Sequence, residues 1–247
     1  MTMDDGIELS IVLPVYNEGE AVVPVVRALV AGVHYRCEIL VVYDFDEDTT
    51  VPVAQALATE LPAVRPLRND LGRGVLNAMK AGIAAARAPY VLVSMADGSD
   101  EPEVVDSMLE LARGGADVVA ASRYMKGGRQ IGGPILKRTM SRMAGLSLHW
   151  FAGVPIHDPT SNFKLYSRQF LDSVTIESSA GFELALELSV KATLARRRLA
   201  EVPTTWRDRT SGKSNFKLRK WLPNYLHWYF VGMRGRIRRR ADAKPSR

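Results

Sequence analysis

The stretch VLVSMADGSDEPE, residues 91–103, opens as an apolar strand and breaks within a few residues into Asp97, Gly98, Ser99, Asp100 and Glu101. Locally this is a solvated loop that caps the next helix, because Asp100 or Glu101 before Pro102 reads as a helix start with proline in the first turn. The same strand, polar break and helix recur along the chain, and that recurrence sets the fold. Residues 8–17 (ELSIVLPVYN) and 37–45 (CEILVVYDF) read as buried strands, each followed by a helix, the second with Pro52 in its first turn. A short strand near residues 64–69 leads through Gly72, Arg73 and Gly74 into an alanine-rich helix. Then come the strand at 90–96, a helix over PEVVDSMLELAR and a strand at 116–124.

Strands separated by helices of this length predict right-handed crossovers and an α/β fold, a Rossmann-like, doubly wound, mostly parallel sheet. Such sheets bind ligands in the crevice beyond the carboxyl ends of their strands. Three of those ends are polar: Tyr16, Asn17 and Glu18; Asp44, Asp46 and Asp48; Asp97 and Asp100. The second half is looser, with a helix near residues 135–151, the segment HDPTSNFKLYS (157–167), a helix over 182–198 and a strand-like 199–208.

The chain has 247 residues, 47% of them apolar and 24% charged, which suits one large domain with a well-buried core. The single cysteine, Cys37, cannot form an internal disulfide and reads as a small core residue in a reducing compartment. The acidic N-terminus lacks the basic and apolar regions of a signal peptide, and no apolar run approaches the ~20 residues that span a bilayer. A cytoplasmic protein is expected, peripheral on the cytoplasmic face of a membrane for the following reason. From Trp206 onward there are 13 basic residues against 2 acidic ones, although the whole chain is only +6. In residues 216–247 they interleave with a stripe of Leu222, Tyr225, Leu226, Tyr229, Phe230 and Met233 at helical spacing. That pattern suits an amphipathic helix in the headgroup region of an anionic leaflet rather than a nucleic-acid face. Packing on its own core, on a second copy or on a membrane protein is the alternative.

Carboxylates at a strand end suit Mg²⁺ or Mn²⁺, which take hard oxygen ligands and share them with substrate phosphates. There is no P-loop and no GxGxxG after the first strand, and the four histidines lack metal-ligand spacing. Neither a GxSxG elbow nor a reactive cysteine marks a nucleophilic triad. Arg123, Lys137, Arg138, Arg209 and Lys213 add basic groups beside the acidic crevice, so two anions are expected to meet there, one of them held by arginine forks.

These motifs, in this order, resemble the inverting family 2 glycosyltransferases of GT-A fold, in particular the dolichyl- or polyprenyl-phosphate mannose synthase branch. The resemblance runs from about Glu8 to Asn215 and implies a catalytic domain over residues 1–215 with a membrane-surface tail over 216–247. LPVYNE is similar to the family's nucleotide site and carries over Pro14, Tyr16 and Glu18. VVYDFDEDTT stands where the family reads VVDDGSxDGT, so Asp44 matches the second Asp and Tyr43 replaces the first, with Asp46 and Arg73 at the same nucleotide-sugar edge. SMADGSDEPE is similar to MDADLQHPPE, which puts Ala96 and Asp97 on the metal-binding DxD and Met95 on its first Asp. Asp97, Ser99 and Asp100 are then the expected metal contacts. SRYMKGG, KRTMSR and EVPTTWRDRTSGKSN carry over Arg123, Lys137 or Arg138, Ser141, Arg209 and Lys213 as acceptor-phosphate contacts. DPTSNFK resembles DxTSGFR, and GFELALEL resembles the family's glutamate-bearing helix.

The resemblance implies a catalytic set of Asp97, Arg123 and Arg209, a nucleotide-sugar donor such as GDP-mannose or a UDP-sugar, a polyprenyl or dolichyl monophosphate acceptor, and inversion. A phosphate monoester has a second pKa near ~6, so it attacks without a general base. Transfer to a hydroxyl would need a carboxylate base, with Glu183, Glu187 or Asp158 as candidates. A non-catalytic nucleotide-sugar binder at the membrane is the reading from another class.

Overall fold

The computed structural model describes residues 6–133, 135–179, 181–208 and 218–242. A seven-stranded sheet runs in the order β3-β2-β1-β4-β7-β5-β8. Its strands are β1 (Leu9–Pro14), β2 (Cys37–Tyr43), β3 (Val64–Arg68), β4 (Tyr90–Val93), β5 (Val118–Ser122), β7 (Lys164–Ser167) and β8 (Leu199–Pro203). All pair in parallel except β7, which lies antiparallel between β4 and β5. The predicted doubly wound, mostly parallel α/β layout is therefore the observed one, with β7 as the departure. A second, two-stranded ladder joins β6 (Arg129–Ile131) to β9 (Thr205–Arg207), so the strand expected over 199–208 is two strands in two sheets.

Alternation along each strand feeds two cores. Leu9, Ile11, Leu13, Ile39 and Val41 pack on one face under α1 (Val22–Gly32), α2 (Thr50–Glu60) and α4 (Val105–Arg113). Val12, Leu40 and Val42 pack on the other under α3 (Val75–Ala85) and α7 (Leu184–Leu194). Burial on both faces is why these strands are apolar runs rather than alternating ones. Cys37 is partly buried, and burial pushes its thiol up to about 11, which leaves it inert.

A third core joins α7, a π-helical turn at Leu148–Ala152 that continues α5 (Ile135–Ser147), and α8 (Leu218–Asp242). Trp228 of α8 is 4% exposed, and its indole donates to Ser178 Oγ at 3.1 Å. The tail helix thus divides its stripe. Tyr225, Tyr229 and Met233 pack inward, while Leu222, Leu226 and Phe230 stay exposed.

β1 is the switch point of the sheet, since β2 and β3 lie to one side and β4 to the other. The crevice opens at the carboxyl ends of β1, β2 and β4, where the polar loops stand.

Candidate active site

The side expected from sequence to take the nucleotide-sugar is built from loops that tie to one another. Asp48 accepts from the Asn17 amide at 3.0 Å and the Thr50 amide at 2.8 Å, so one buried carboxylate joins the β1 loop to the start of α2. Asn17 sits at φ 52°, in the left-handed region that asparagine tolerates. Asp44 accepts from Asn69 Nδ2 at 2.7 Å and from the Gly74 amide at 2.8 Å. Gly74, at φ 132°, turns its N–H onto that carboxylate in a conformation that L side chains rarely adopt. Asp44, expected at the nucleotide-sugar edge, is engaged at both oxygens in holding the loop that carries Arg73.

Arg73 lies 4.5 Å over the ring of Phe45, and Tyr16 meets the same ring edge-on at 5.8 Å. Tyr16 is 52% exposed, which leaves an aromatic shelf with a cation above it. Phe45 was missed by the sequence reading, although an aromatic residue inside the acidic DFDED run is itself a signal. The Glu18 amide bonds Thr50 Oγ1 at 3.0 Å. Pro14 closes the buried strand β1. Asp46 pairs with Arg68 at 3.1 Å on the exposed rim, a contact worth little to stability.

The loop after β4 folds around its own acids. Ser94 Oγ and the Met95 amide each donate to Asp100 Oδ2 at 2.9 Å, which turns that oxygen inward although the residue is only partly buried. Burial raises the Asp100 carboxyl to about 7, with Asp97 adding to the rise and the bonds from Met95 and Ser94 opposing it. Asp97 Oδ1 accepts the Ser99 amide at 3.1 Å; Ala96 and Ser99 are buried and Asp97 is partly exposed. Glu101 caps nothing by its side chain. It accepts the Thr205 amide at 2.7 Å and so ties β9 to this loop, where the Arg207 amide also donates to Ser99 O at 3.2 Å.

Among the described residues no three His, Cys, Asp or Glu side chains converge as a self-sufficient metal site. The donor set does fit a hard divalent ion shared with a ligand. Mg²⁺ is commonly held by one or two carboxylates, with phosphate oxygens and waters completing the shell, and Asp97 with Asp100 beside it meets that need. Met95 brings a thioether where a carboxylate would strengthen the site.

The basic side, expected from sequence to meet the acceptor phosphate, centres on Arg123 at the end of β5. Its Nε and Nη2 fork onto Asp158 at 2.7 and 3.0 Å, its amide donates to the same carboxylate at 3.2 Å, and Nη2 reaches Ser141 Oγ at 3.4 Å. The guanidinium also lies 4.9 Å over the Tyr124 ring. Burial alone would raise the Asp158 carboxyl, but the Arg123 charge and hydrogen bonds override it and hold it below the usual range. The Arg123 charge acts to lower the Asp100 carboxyl against the rise from burial, which links the two halves of the site electrostatically.

Ser141 bonds Thr160 at 2.9 Å, and Lys164, fully buried, donates to the carbonyls of Asp158 (2.9 Å) and Ser161. Burial lowers the Lys164 ammonium to about 7 against partial opposition from Asp158. A lysine whose folded pKa lies below its unfolded value near ~10.4 is bound to fewer protons when folded, so stability rises with pH between those values. Lys164 should therefore make the natural chain gain stability from about pH 7 to about 8.5, above which ionisation of the unfolded Cys37 thiol opposes it. Lys164→Met should remove that slope in urea titrations across the window.

Arg123, Arg129, Arg138 and Arg142 line a cavity of about 710 Å³ together with Met125, Met143 and Leu146. Arg129 and Arg142 were not singled out by sequence. Lys137 stands in the first turn of α5, but its side chain, like Arg209 and Lys213, lies outside the described residues.

All three candidate bases are engaged by neighbours. Asp158 is ion-paired to Arg123, and Glu187 accepts the Glu177 and Ser178 amides while pairing with Lys191 at 2.8 Å. Glu183 is buried and accepts from Asn224 at 3.4 Å.

Residues 10–175 match the model of the family described as "Glycosyl transferase family 2". A polyprenol monophosphomannose synthase of Mycolicibacterium smegmatis is 32% identical, over 93% of this chain and 88% of its own length. A dolichol-phosphate mannosyltransferase of Pyrococcus furiosus is 29% identical over 85% of this chain, which spans 59% of that protein. Among solved structures, glucosyl-3-phosphoglycerate synthase from Mycobacterium tuberculosis, in complex with Mn²⁺, UDP and glucosyl-3-phosphoglycerate, superposes with a TM-score of 0.68 at 18% identity, covering 92% of this chain and 80% of the other. That likeness bears on the fold alone. With its family model covering most of the sheet and a relative above 30% identity along nearly its whole length, the chain belongs to glycosyl transferase family 2 and is a glycosyltransferase.

Proposed function

We propose that this enzyme moves a sugar from a nucleotide-sugar, GDP-mannose or a UDP-sugar, to a polyprenyl or dolichyl monophosphate with inversion at the anomeric carbon. The observation that carries the reading is the cavity of about 710 Å³ in which four arginines stand with three apolar side chains. A phosphate head with a hydrocarbon tail presents the same two chemistries. The named relatives, a polyprenol monophosphomannose synthase and a dolichol-phosphate mannosyltransferase, support the same acceptor class.

The nucleotide would lie against Tyr16, Phe45 and Glu18, with Asp44 fixing the loop that brings Arg73 to the diphosphate. Asp97, with Ser99 and Asp100 behind it, would hold Mg²⁺ or Mn²⁺, which when bound supplies positive charge to the departing nucleoside diphosphate. Arg123, Arg138 and Ser141, with Lys137, Arg209 and Lys213 from the sequence reading, would hold the acceptor phosphate. Its ionised oxygen attacks the face of the sugar opposite the leaving group, so no side chain has to remove a proton. Asp158 cannot serve as a base while it is forked on Arg123. Glu183→Gln is therefore expected to retain transfer to a lipid monophosphate, whereas a hydroxyl acceptor served by that carboxylate would lose turnover by about 10²–10⁴-fold. Kinetics of this variant separate the two acceptors. A melting-temperature screen of nucleotide sugars with Mn²⁺ identifies the donor.

No helix among the described residues is long and apolar enough to cross a membrane. A peripheral mode is supported by Trp150, Phe151, Met143, Leu226 and Phe230, which are exposed on the π turn, α5 and α8, with Arg138, Arg142 and Arg234 exposed on the same helices. Arg236 donates to the Trp150 carbonyl and so links α8 to the turn. Such a face suits the boundary of an anionic leaflet on the cytoplasmic side, close to a lipid acceptor. Deleting α8 would strip Trp228 from the core, so surface changes are the better test. Trp150→Ser combined with Phe230→Ser is expected to weaken binding to phosphatidylglycerol vesicles by about tenfold or more in flotation, from the lost apolar burial.

A further inference from the structure

The acceptor half of the site converges on residue 157, which no motif singles out. Its backbone N–H donates to Glu201 Oε2 at 2.8 Å, and its ring Nδ1 meets Glu201 Oε1. Glu201 stands in β8, the strand paired in parallel with β5, and its side chain is only 11% exposed. The His157 ring stacks on His149 of the π turn, with centroids 4.7 Å apart and planes 19° apart, and His149 Nδ1 is in turn bonded to Val154 O at 2.9 Å. On its remaining side the His157 carbonyl lies directly under α5, because a Cβ at Gly145 would collide with it. One residue therefore touches β8, the π turn and α5 at once.

Both acceptor elements depend on that anchor. The next residue is Asp158, the carboxylate on which Arg123 forks. α5, held at Gly145, carries Arg138 and Ser141, and Ser141 is joined back to Thr160 of the same loop. A rotation of residue 157 would tilt the Arg123 fork and shift α5 together, and its contacts with Glu201, His149 and Gly145 lie away from the loops at the ends of β1, β2 and β4.

We infer that His157 and Glu201 are positioning residues of the acceptor-phosphate subsite, a two-point clamp that fixes the Arg123–Asp158 fork relative to α5. This rests on the lipid-monophosphate reading above and assigns the pair no contact with substrate. A carboxylate suits the role because it accepts both N–H groups of one residue. Glutamine would turn an amide donor toward one of those donors. The ring stack alone does not replace the clamp, since it fixes the plane of the imidazole and not the backbone of Asp158.

The test uses the full chain, farnesyl monophosphate in detergent micelles as the acceptor probe, and whichever of GDP and UDP the natural chain binds with Mn²⁺ as the donor probe, both by titration calorimetry. His157→Phe keeps a ring against His149 and removes the N–H to Glu201, and Glu201→Gln unbalances the clamp from the other side. Both should weaken farnesyl monophosphate about tenfold while leaving nucleotide affinity within about twofold, the cost of a lost hydrogen bond to a charged group felt on one side only. His157→Asn, whose side-chain amide can present an N–H near the Nδ1 position, should restore most of the affinity. Unchanged farnesyl monophosphate binding in variants that melt cooperatively, or equal losses for both probes, would overturn the assignment. Arg123→Lys keeps the charge and loses the fork, and it separates the two levels. If Arg123→Lys weakens the acceptor probe and His157→Phe does not, only the clamp is wrong. If Arg123→Lys has no effect either, the acceptor assignment falls with it.

Discussion

Arg123→Ala should cripple acceptor use and unsettle the fold at once, with transfer reduced by about 10²–10³-fold, the range seen when a preorganised charge contact is removed. The stability effect follows from burial. Asp158 is fully buried and the Arg123 side chain is 14% exposed, so the substitution leaves a buried carboxylate without its counter-ion. Breaking such a pair from one side costs about 3–5 kcal/mol, whatever the intact pair contributes. The pH dependence gives this an independent signature. In the natural chain the Asp158 carboxyl is held low, so its contribution is present above the unfolded value near ~3.9 and is lost only as pH falls through the folded one. Without Arg123, burial dominates and raises that carboxyl. The deficit should therefore be largest at neutral pH and ease as the solution approaches pH 4, where the raised carboxyl of the folded variant is already neutral and the unfolded one is about half protonated. Urea unfolding of the two proteins between pH 4 and 8 measures it.

The second large effect concerns Asp97. On the proposed reading Asp97→Ala should lower turnover by about 10²–10³-fold with saturating nucleotide sugar, because the carboxylate that would hold the metal beside the leaving diphosphate is gone. Stability should barely change, since the side chain is partly exposed and, among the described residues, its hydrogen bond is to the Ser99 amide. Met95→Asp supplies the opposite test. It adds a hard oxygen donor two residues from Asp97, so Mn²⁺ should bind the nucleotide-free protein more tightly than it binds the natural chain. Electron paramagnetic resonance of free Mn²⁺ reads that difference without any turnover. If Met95→Asp leaves Mn²⁺ affinity unchanged, the metal does not lie at this strand end.

Much of this architecture could be read along the chain. β1, β2, β4 and β5 are buried on both faces, and burial on both faces forces an apolar run that is visible without coordinates. β7 escaped notice because it begins at Lys164, a residue that rarely belongs in a core, and because only its hydrogen bonds to two neighbours reveal that it runs backward. The two faces of α8 show the same limit. Helical spacing marks the stripe, but only packing separates Tyr225 and Tyr229 from the exposed Leu226 and Phe230.

The site followed a similar division. The strand-end acids and Arg123 were legible because the fold class says where a crevice must lie. What each acid does there was not. Asp44 spends its oxygens on Asn69 and Gly74, Glu101 braces β9, and Asp158, a candidate base on paper, is the partner that orients Arg123. These assignments depend on residues 25 to 104 positions away, and no local pattern encodes them.

The acceptor is the centre of the account, and one assay addresses it directly. The purified chain is incubated with Mn²⁺, a radiolabelled nucleotide sugar chosen by the melting screen, and either a polyprenyl monophosphate or the corresponding polyprenol. The account predicts label in an organic-extractable glycosyl lipid phosphate with the monophosphate alone. Label on the free alcohol, or label that stays in water-soluble products whichever lipid is supplied, would contradict it.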